Sequence, residues 1–194
     1  MQKKVIILRV IAGTARRTLL VAPKGHDTRP TSDRVKENVF NIIAPGLRDA
    51  YFLDLFCGSG AIGIEALSRG ASMAVFADIA TDAVKATKDN LTQVRFTGKA
   101  KVLNMCAIEA IANLKNNSKL FDIIYLDPPY GSGLLDKALL ELTKHELLAP
   151  DGVIIAEYAT DEPPQDHAQL YMYDQRKYGN TQVSFYWHPK GMAQ

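Results

Sequence analysis

The chain has 194 residues, of which 47% are hydrophobic, and a formal net charge of +2, a composition that suits one ordinary folded domain and calls for no second one. No apolar stretch runs beyond a few residues and no secretory pattern opens the sequence, so neither a membrane span nor export is expected and the protein should stay in the cytoplasm. Cys57 and Cys106 are too few and too isolated for a disulfide framework or a metal-ligand pattern, which leaves two reduced thiols and no structural metal.

The small net charge hides an uneven distribution. Within residues 1–36, Lys3, Lys4, Arg9, Arg16, Arg17, Lys24, Arg29, Arg34 and Lys36 stand against only Asp27 and Asp33, a balance of +7 that leaves −5 for the rest. A basic arm on a mildly acidic body points to a polyanionic partner, bound with a strong salt dependence. In this arm residues 5–11 and 18–22 read as two short strands around Gly13 to Arg17. Thr31 to Ile43 reads as a helix capped by Thr31 or Ser32, with Val35, Val39, Ile42 and Ile43 on one face, and Pro45 with Gly46 stop it.

From there strands and helices alternate, the pattern of a parallel sheet covered on both faces. Strands are expected at Tyr51 to Phe56, Met73 to Ala77, Lys101 to Met105, Phe121 to Leu126 and Gly152 to Tyr158. Helices are expected from Ala61 to Ser68, from a cap at Thr81 to Gln93, from Ile108 to Leu114 and from Leu134 to Thr143. The strands are rich in Val, Ile, Leu and Phe, as doubly buried strands are. Leu170 to Tyr178 and Thr181 to His188, joined through Gly179 and Asn180, form an antiparallel hairpin by their turn signal.

Two motifs carry chemistry. Leu53 to Gly63 is an apolar strand running into a glycine-rich turn and a helix, and Gly58, Gly60 and Gly63 satisfy G-x-G-x-x-G. Asp78, twenty residues after Gly58, stands where a carboxylate meets ribose hydroxyls, so an adenosine-type ligand is expected. Asp54, just before the turn, favours an ammonium over a pyrophosphate, and so S-adenosylmethionine over a dinucleotide. Asp127-Pro128-Pro129-Tyr130 ends the fourth main strand, beside the first, at the reversal of strand order. Its two prolines fix φ and remove two amide donors, which leaves carbonyls to accept hydrogen bonds from something else, such as an exocyclic amine on a flat base.

Asp-Pro-Pro-Tyr together with Asp-Leu-Phe-Cys-Gly-Ser-Gly resembles a Rossmann-fold amino methyltransferase. Arg9 to Gly13, Thr28 to Glu37, Gly63 to Ala71 and Tyr178 to Thr181 resemble the RsmD family in particular, in family order over nearly the whole chain. The resemblance implies an α/β, Rossmann-like class I methyltransferase: a seven-stranded, mostly parallel sheet with an antiparallel C-terminal hairpin and a short N-terminal β-hairpin and helix. Residues 1–194 would form a single domain, with residues 1–36 its RNA-facing extension. It further implies S-adenosylmethionine-dependent methylation of the N2 amine of one guanine in 16S rRNA, at position 966 in the usual RNA numbering. The partner would be 16S rRNA or the small ribosomal subunit, and a monomer is expected.

By the same resemblance Asp127, Pro128, Pro129 and Tyr130 are catalytic. Asp54, Phe56, Gly58, Ser59, Gly60, Asp78, Ile79, Cys106 and Ala107 bind the cofactor. Cys106 stands where the family usually places an adenine-binding Asp, so that contact is weakened or moved to a backbone carbonyl. Arg16, Arg17, Arg29, Arg34 and Lys36 would meet RNA, with a surface pair to Glu37 as the competing role for Arg34. His26, His145, His167 and His188 share no spacing and read as surface or packing residues. Two other functions compete: N6 methylation of adenine, which the same turn would serve, and a non-catalytic RNA-binding or ribosome-assembly protein that keeps only the fold.

Overall fold

The structure, a computed structural model, describes residues 8–23, 33–115, 119–167 and 169–188. The arm forms a small antiparallel pair, β1 (Leu8–Arg9) with β2 (Leu19–Leu20). The main sheet contains β3 (Tyr51–Leu55), β4 (Met73–Asp78), β5 (Ala100–Asn104), β6 (Phe121–Leu126), β7 (Leu148–Ala159), β8 (Tyr171–Tyr178) and β9 (Thr181–Trp187). Their order is β5-β4-β3-β6-β7-β9-β8, with β3 to β7 paired in parallel and β9 antiparallel to both of its neighbours. The seven-stranded, mostly parallel sheet with its antiparallel hairpin is therefore present.

The chain leaves β3 through β4 and β5 in one direction, then crosses back to place β6 on the other side of β3. Right-handed crossovers then place the helices before the reversal on one face and those after it on the other. On the first face lie α1 (Asp33–Ile42), α2 (Ala44–Leu47), α3 (Ala61–Ser68) and Leu91 of α4 (Thr81–Gln93). On the second lie α5 (Ala107–Leu114) and α6 (Leu134–His145). Strand register sets the split. Phe76, Asp54, Tyr125, Ile155 and Phe185 pair across five strands and share the first face, whereas Leu53, Val75, Ile124 and Ile154 pack on the second.

The structure adjusts several element boundaries. Pro45 does not end the helical path, because α2 follows with Pro45 in its first turn, where a missing N–H costs nothing. β7 starts at Leu148 rather than Gly152. The chain bulges there, since Phe121 pairs with Leu148 and Ile123 with Val153, which accommodates Pro150 outside the regular ladder. α4 is capped by Ala80 with no side-chain bond, and the Thr81 hydroxyl turns instead to Asn104 Oδ1 at 3.3 Å.

Helix α3 is buried over seven of its eight residues because the arm covers it. Glu65, with no exposed surface, accepts hydrogen bonds from Ile11 N at 2.7 Å and Ala12 N at 3.0 Å. Arg69 Nε donates to the same carboxylate at 2.7 Å, and Lys36 Nζ stands 3.8 Å away. Ser68 Oγ donates to Ala12 O at 2.6 Å and accepts from Ala15 N at 2.9 Å. A Cβ on Gly13 would fall 1.8 Å from the Ser68 carbonyl oxygen, so only glycine lets the arm lie this close. Removing one partner from a buried charge cluster strands the others. Glu65→Ala is expected to lose about 3–5 kcal/mol of stability in denaturant unfolding. A loss below ~1 kcal/mol would show that this carboxylate does not hold the arm.

Candidate active site at the strand crossover

The first half of the site is the turn after β3. Asp54 is 2% exposed, and its Oδ2 accepts from Gly63 N at 2.9 Å, which ties the strand to the first turn of α3. A Cβ on Gly63 would lie 2.3 Å from the Phe76 ring, so the helix reaches its hydrogen-bonding distance only with glycine there. Phe56 takes a left-handed φ of +64°, a costly conformation for an aromatic residue that turns the chain out of the sheet. Asp78, at the end of β4, accepts from Gly58 N and from Ala80 N, each at 2.9 Å. From α4, the Thr87 hydroxyl donates to Gly58 O at 3.0 Å and Asn90 Nδ2 to Ser59 O at 2.8 Å. The glycine turn's backbone at Gly58 and Ser59 is thus held from β4 and α4.

The electrostatics follow from burial. Desolvation raises the Asp54 carboxyl to about 7, against the opposing Gly63 amide and with help from the Asp78 charge. Burial likewise pushes the Cys57 thiol well above its usual range, and the thiol lies 3.6 Å from Thr87 Oγ1. Ile79, beside Asp78, is 71% exposed and presents an apolar surface at the rim. Across the strand ends, Cys106 is the N-cap of α5 and accepts from Glu109 N at 3.5 Å, while Glu109 accepts from Cys106 N. Its sulfur is thus engaged in a capping box. Ala107 behind it is buried.

The second half is the turn after β6. Pairing of Leu55 with Leu126 sets Phe56 and Asp127 side by side, so the two turns are neighbours at the crossover. Asp127 is half-buried, Pro128 buried, and Tyr130 48% exposed. The Pro129 carbonyl already accepts from the Ser132 hydroxyl. Among the described residues the Pro128 carbonyl has no such donor. Gly131 N donates to Glu162, and the Tyr130 hydroxyl lies 3.3 Å from Thr181 Oγ1. Beneath the turn, the buried Tyr125 hydroxyl donates to Glu157 Oε2 at 2.6 Å. A shallow depression of about 390 Å³ lined by Tyr171, Tyr173 and Trp187 lies at the far end of the strands, away from this chemistry. Among the described residues no group of three His, Cys, Asp or Glu is placed to hold a metal ion, and no helix is long and apolar enough to cross a membrane.

Residues 8–187 match the family described as "Conserved hypothetical protein 95". The chain is 38% identical over 180 residues to "Putative rRNA methyltransferase YlbH" of Bacillus subtilis, covering 92% of this chain and 98% of the relative. It is 36% identical over 150 residues to "Ribosomal RNA small subunit methyltransferase D" of Escherichia coli K12, covering 77% and 74%. The chain belongs to the RsmD family. Its fold superposes on the solved structure described as "Putative methyltransferase yhhF from Escherichia coli" with a TM-score of 0.83 and 30% identity, over 94% of this chain and 98% of that one.

In this RsmD-family chain the basic arm divides into exposed and structural cations. Arg16 and Arg17 are exposed at the tip of the β1–β2 connection, where Arg17 adopts φ +70° and its N–H donates to Val10 O at 2.8 Å. Arg34 is exposed in the first turn of α1, and among the described residues no ion pair joins it to Glu37. Arg29 lies outside the described residues. Lys36 is a correction. It is 2% exposed, donates to Arg9 O at 2.6 Å and faces Glu65, so it braces the arm from within and does not reach a polyanion. Burial lowers its pKa, with Glu65 and Asp33 opposing.

The residues that pattern reading missed are Glu65, Ser68, Thr87 and Asn90. Asn90 has a double role, since its side chain exchanges hydrogen bonds with Val21 N and O as well as holding Ser59. The signal that was present is a lone carboxylate in the apolar octet Ala61 to Ser68, a position where a charge must find buried partners. For Asp54, a folded-state pKa near 7 against about 3.9 unfolded means the folded protein keeps a proton that the unfolded chain releases. Its contribution to stability is therefore greatest below about pH 4, falls by up to ~1.4 kcal/mol per unit toward pH 7, and is flat above. Asp54→Asn is expected to remove that slope in unfolding experiments across pH 4–8. Parallel wild-type and variant profiles would show that Asp54 is not the group responsible.

Proposed function

We propose that this chain transfers a methyl group from S-adenosylmethionine to the exocyclic N2 of one guanine in 16S rRNA, the guanine at position 966 by family resemblance. The single observation that carries the reading is the adjacency of two turns at the crossover: the glycine turn with Asp54 and Asp78, and Asp127 to Tyr130 beside it. Relatives named for small-subunit rRNA methylation support the substrate class.

The crevice suits a cationic nucleoside. Asp78, and Asp54 once a cation beside it favours the ionised form, would attract an ammonium and repel a pyrophosphate. Each Asp78 oxygen accepts one amide and keeps a lone pair for a ribose hydroxyl. Phe56, Gly58, Ser59 and Gly60 would pass under the methionine portion, and Ile79 would lie against the adenine. Cys106 and Ala107 would close the adenine side. Because the Cys106 sulfur already caps α5, the adenine amine would be met by backbone. S-adenosylmethionine, when bound, supplies a methyl group made electrophilic by its sulfonium.

The chain's own work is positioning. The guanine N2 lone pair is conjugated with the ring and is a poor nucleophile. Asp127 accepts one N–H of the amine and the Pro128 carbonyl accepts the other, which turns the lone pair out of the ring plane toward the donor. The nitrogen gains a methyl and gives up one proton, to Asp127 or to water. Tyr130 stacks on the base, a contact worth roughly 1–3 kcal/mol in single-strand binders, which helps hold a base taken out of its stack. Arg16, Arg17 and Arg34 meet phosphates.

Incubation with labelled S-adenosylmethionine and small ribosomal subunits, naked rRNA or DNA from a strain lacking the activity, followed by mass spectrometry of nucleosides, is expected to yield N2-methylguanine from rRNA. Recovery of N6-methyladenine would overturn the base assignment. Asp127→Ala is expected to lower transfer about 100-fold or more while cofactor affinity by calorimetry stays within about threefold. Unchanged turnover would remove Asp127 from its role. Arg16→Ala with Arg17→Ala is expected to weaken RNA binding and make the salt slope shallower by about 1.5, the share of two lost phosphate contacts. An unchanged slope would place those contacts elsewhere.

A further inference from the structure

The fold brings Tyr178 to Thr181 to the site. It is the turn between β8 and β9, and Thr181 opens β9, paired with Tyr178 on one side and Ala159 on the other. Thr160 N donates to Asn180 O at 3.0 Å, which fixes the turn to the end of β7. Thr181 is buried between these partners, and its hydroxyl is the group 3.3 Å from the Tyr130 hydroxyl. Glu162 lies on the same side. Its N–H is anchored to Ala159 O, and its carboxylate accepts from Gly131 N.

The prolines do not explain this arrangement. Pro128 and Pro129 have fixed φ, but Tyr130 is a half-exposed ring that follows them, and its χ angles are not set by theirs. A ring that is to lie flat on a base gains from an anchor at its far end. We propose that Thr181 is a positioning residue for Tyr130, its hydroxyl holding the phenol so that the ring is set against the target base and the β8–β9 turn forms one wall of the base pocket. The inference rests on the methyltransferase reading of the site.

The test uses variants that separate the hydroxyl from the methyl. Thr181→Val keeps the β-branched shape of a strand residue and removes the hydroxyl, while Thr181→Ser keeps the hydroxyl and removes the methyl. Single-stranded RNA carrying 2-aminopurine at the target position, which bears the same C2 amine as guanine, reports stacking through fluorescence quenching on binding, with no methyl transfer required. Thr181→Val and Tyr130→Phe are each expected to reduce the quenching and to lower kcat roughly three- to tenfold, the range of one hydrogen bond, with KM for S-adenosylmethionine unchanged. Thr181→Ser should behave as wild type, and the Thr181→Val, Tyr130→Phe double variant should be no worse than either single one. Wild-type quenching in Thr181→Val, loss in Thr181→Ser equal to that in Thr181→Val, multiplying effects in the double variant, or no quenching by the wild type would each overturn the proposal. Quenching that follows this pattern in a wild-type protein without methyl transfer would uphold the Tyr130–Thr181 contact and sink the methyltransferase reading alone.

Discussion

A carboxylate shut away from water must be met on all sides or it unfolds the element that carries it, and Glu65 is such a group. Its partners come from three places: two amides of the arm, Arg69 on the following turn, and Lys36 of α1. The arm, α1 and α3 can satisfy this charge only in one mutual arrangement. Because Gly63, two residues earlier on the same helix, bonds to Asp54, the glycine turn and the basic arm are fixed to one rigid rod about 12 Å long. Asn90 on α4 repeats the device, with Val21 on one side and Ser59 on the other. Exposed Arg16 and Arg17 therefore have a set position relative to the crevice.

Strand register does for the carboxylates what Glu65 does for the arm. Asp54 pairs with Tyr125 across β3 and β6, and one pleat further along the same face come Asp78 and Asp127 at the ends of β4 and β6, and Glu157 within β7. Tyr125 stands amid this charge, and burial followed by Glu157 and Asp127 raises its phenol well above the usual range, so it remains a hydrogen-bond donor at any working pH. Such a face is costly without a counter-ion. A cationic ligand would offset the Asp78 charge and favour ionised Asp54 beside it, which gives the crevice a preference of sign before any shape is considered.

How far the sequence discloses this depends on the range of the interaction. α3 and β6 have the bounds that their apolar runs and flanking glycines and prolines announce, since both signals are local. The crossover follows from strand alternation and chirality. Lys36 defied its charge because Glu65, the group that buries it, lies 29 positions away. The start of β7 was obscured by Pro150, which is tolerated only through a bulge against Phe121. Cys106 invited comparison with an adenine-binding carboxylate, yet its sulfur also satisfies a helix N-terminus, a duty an Asp in that place performs equally well.

The Asp-Pro-Pro-Tyr turn shows why a motif can name a chemistry without holding its geometry. Two prolines stiffen the middle of the turn, but the residue proposed to meet a base face is Tyr130, beyond their reach. Contacts to Tyr130 and Gly131 come from the next strands of the sheet: Thr181 at the start of β9 and Glu162 after β7. Those supports exist because β9 runs antiparallel to β7, which brings the β8–β9 turn to the same edge as the C-terminal ends of the parallel strands. A parallel seventh strand would have put that turn at the opposite edge. The antiparallel hairpin is therefore the topological reason that Thr181 stands beside the tyrosine.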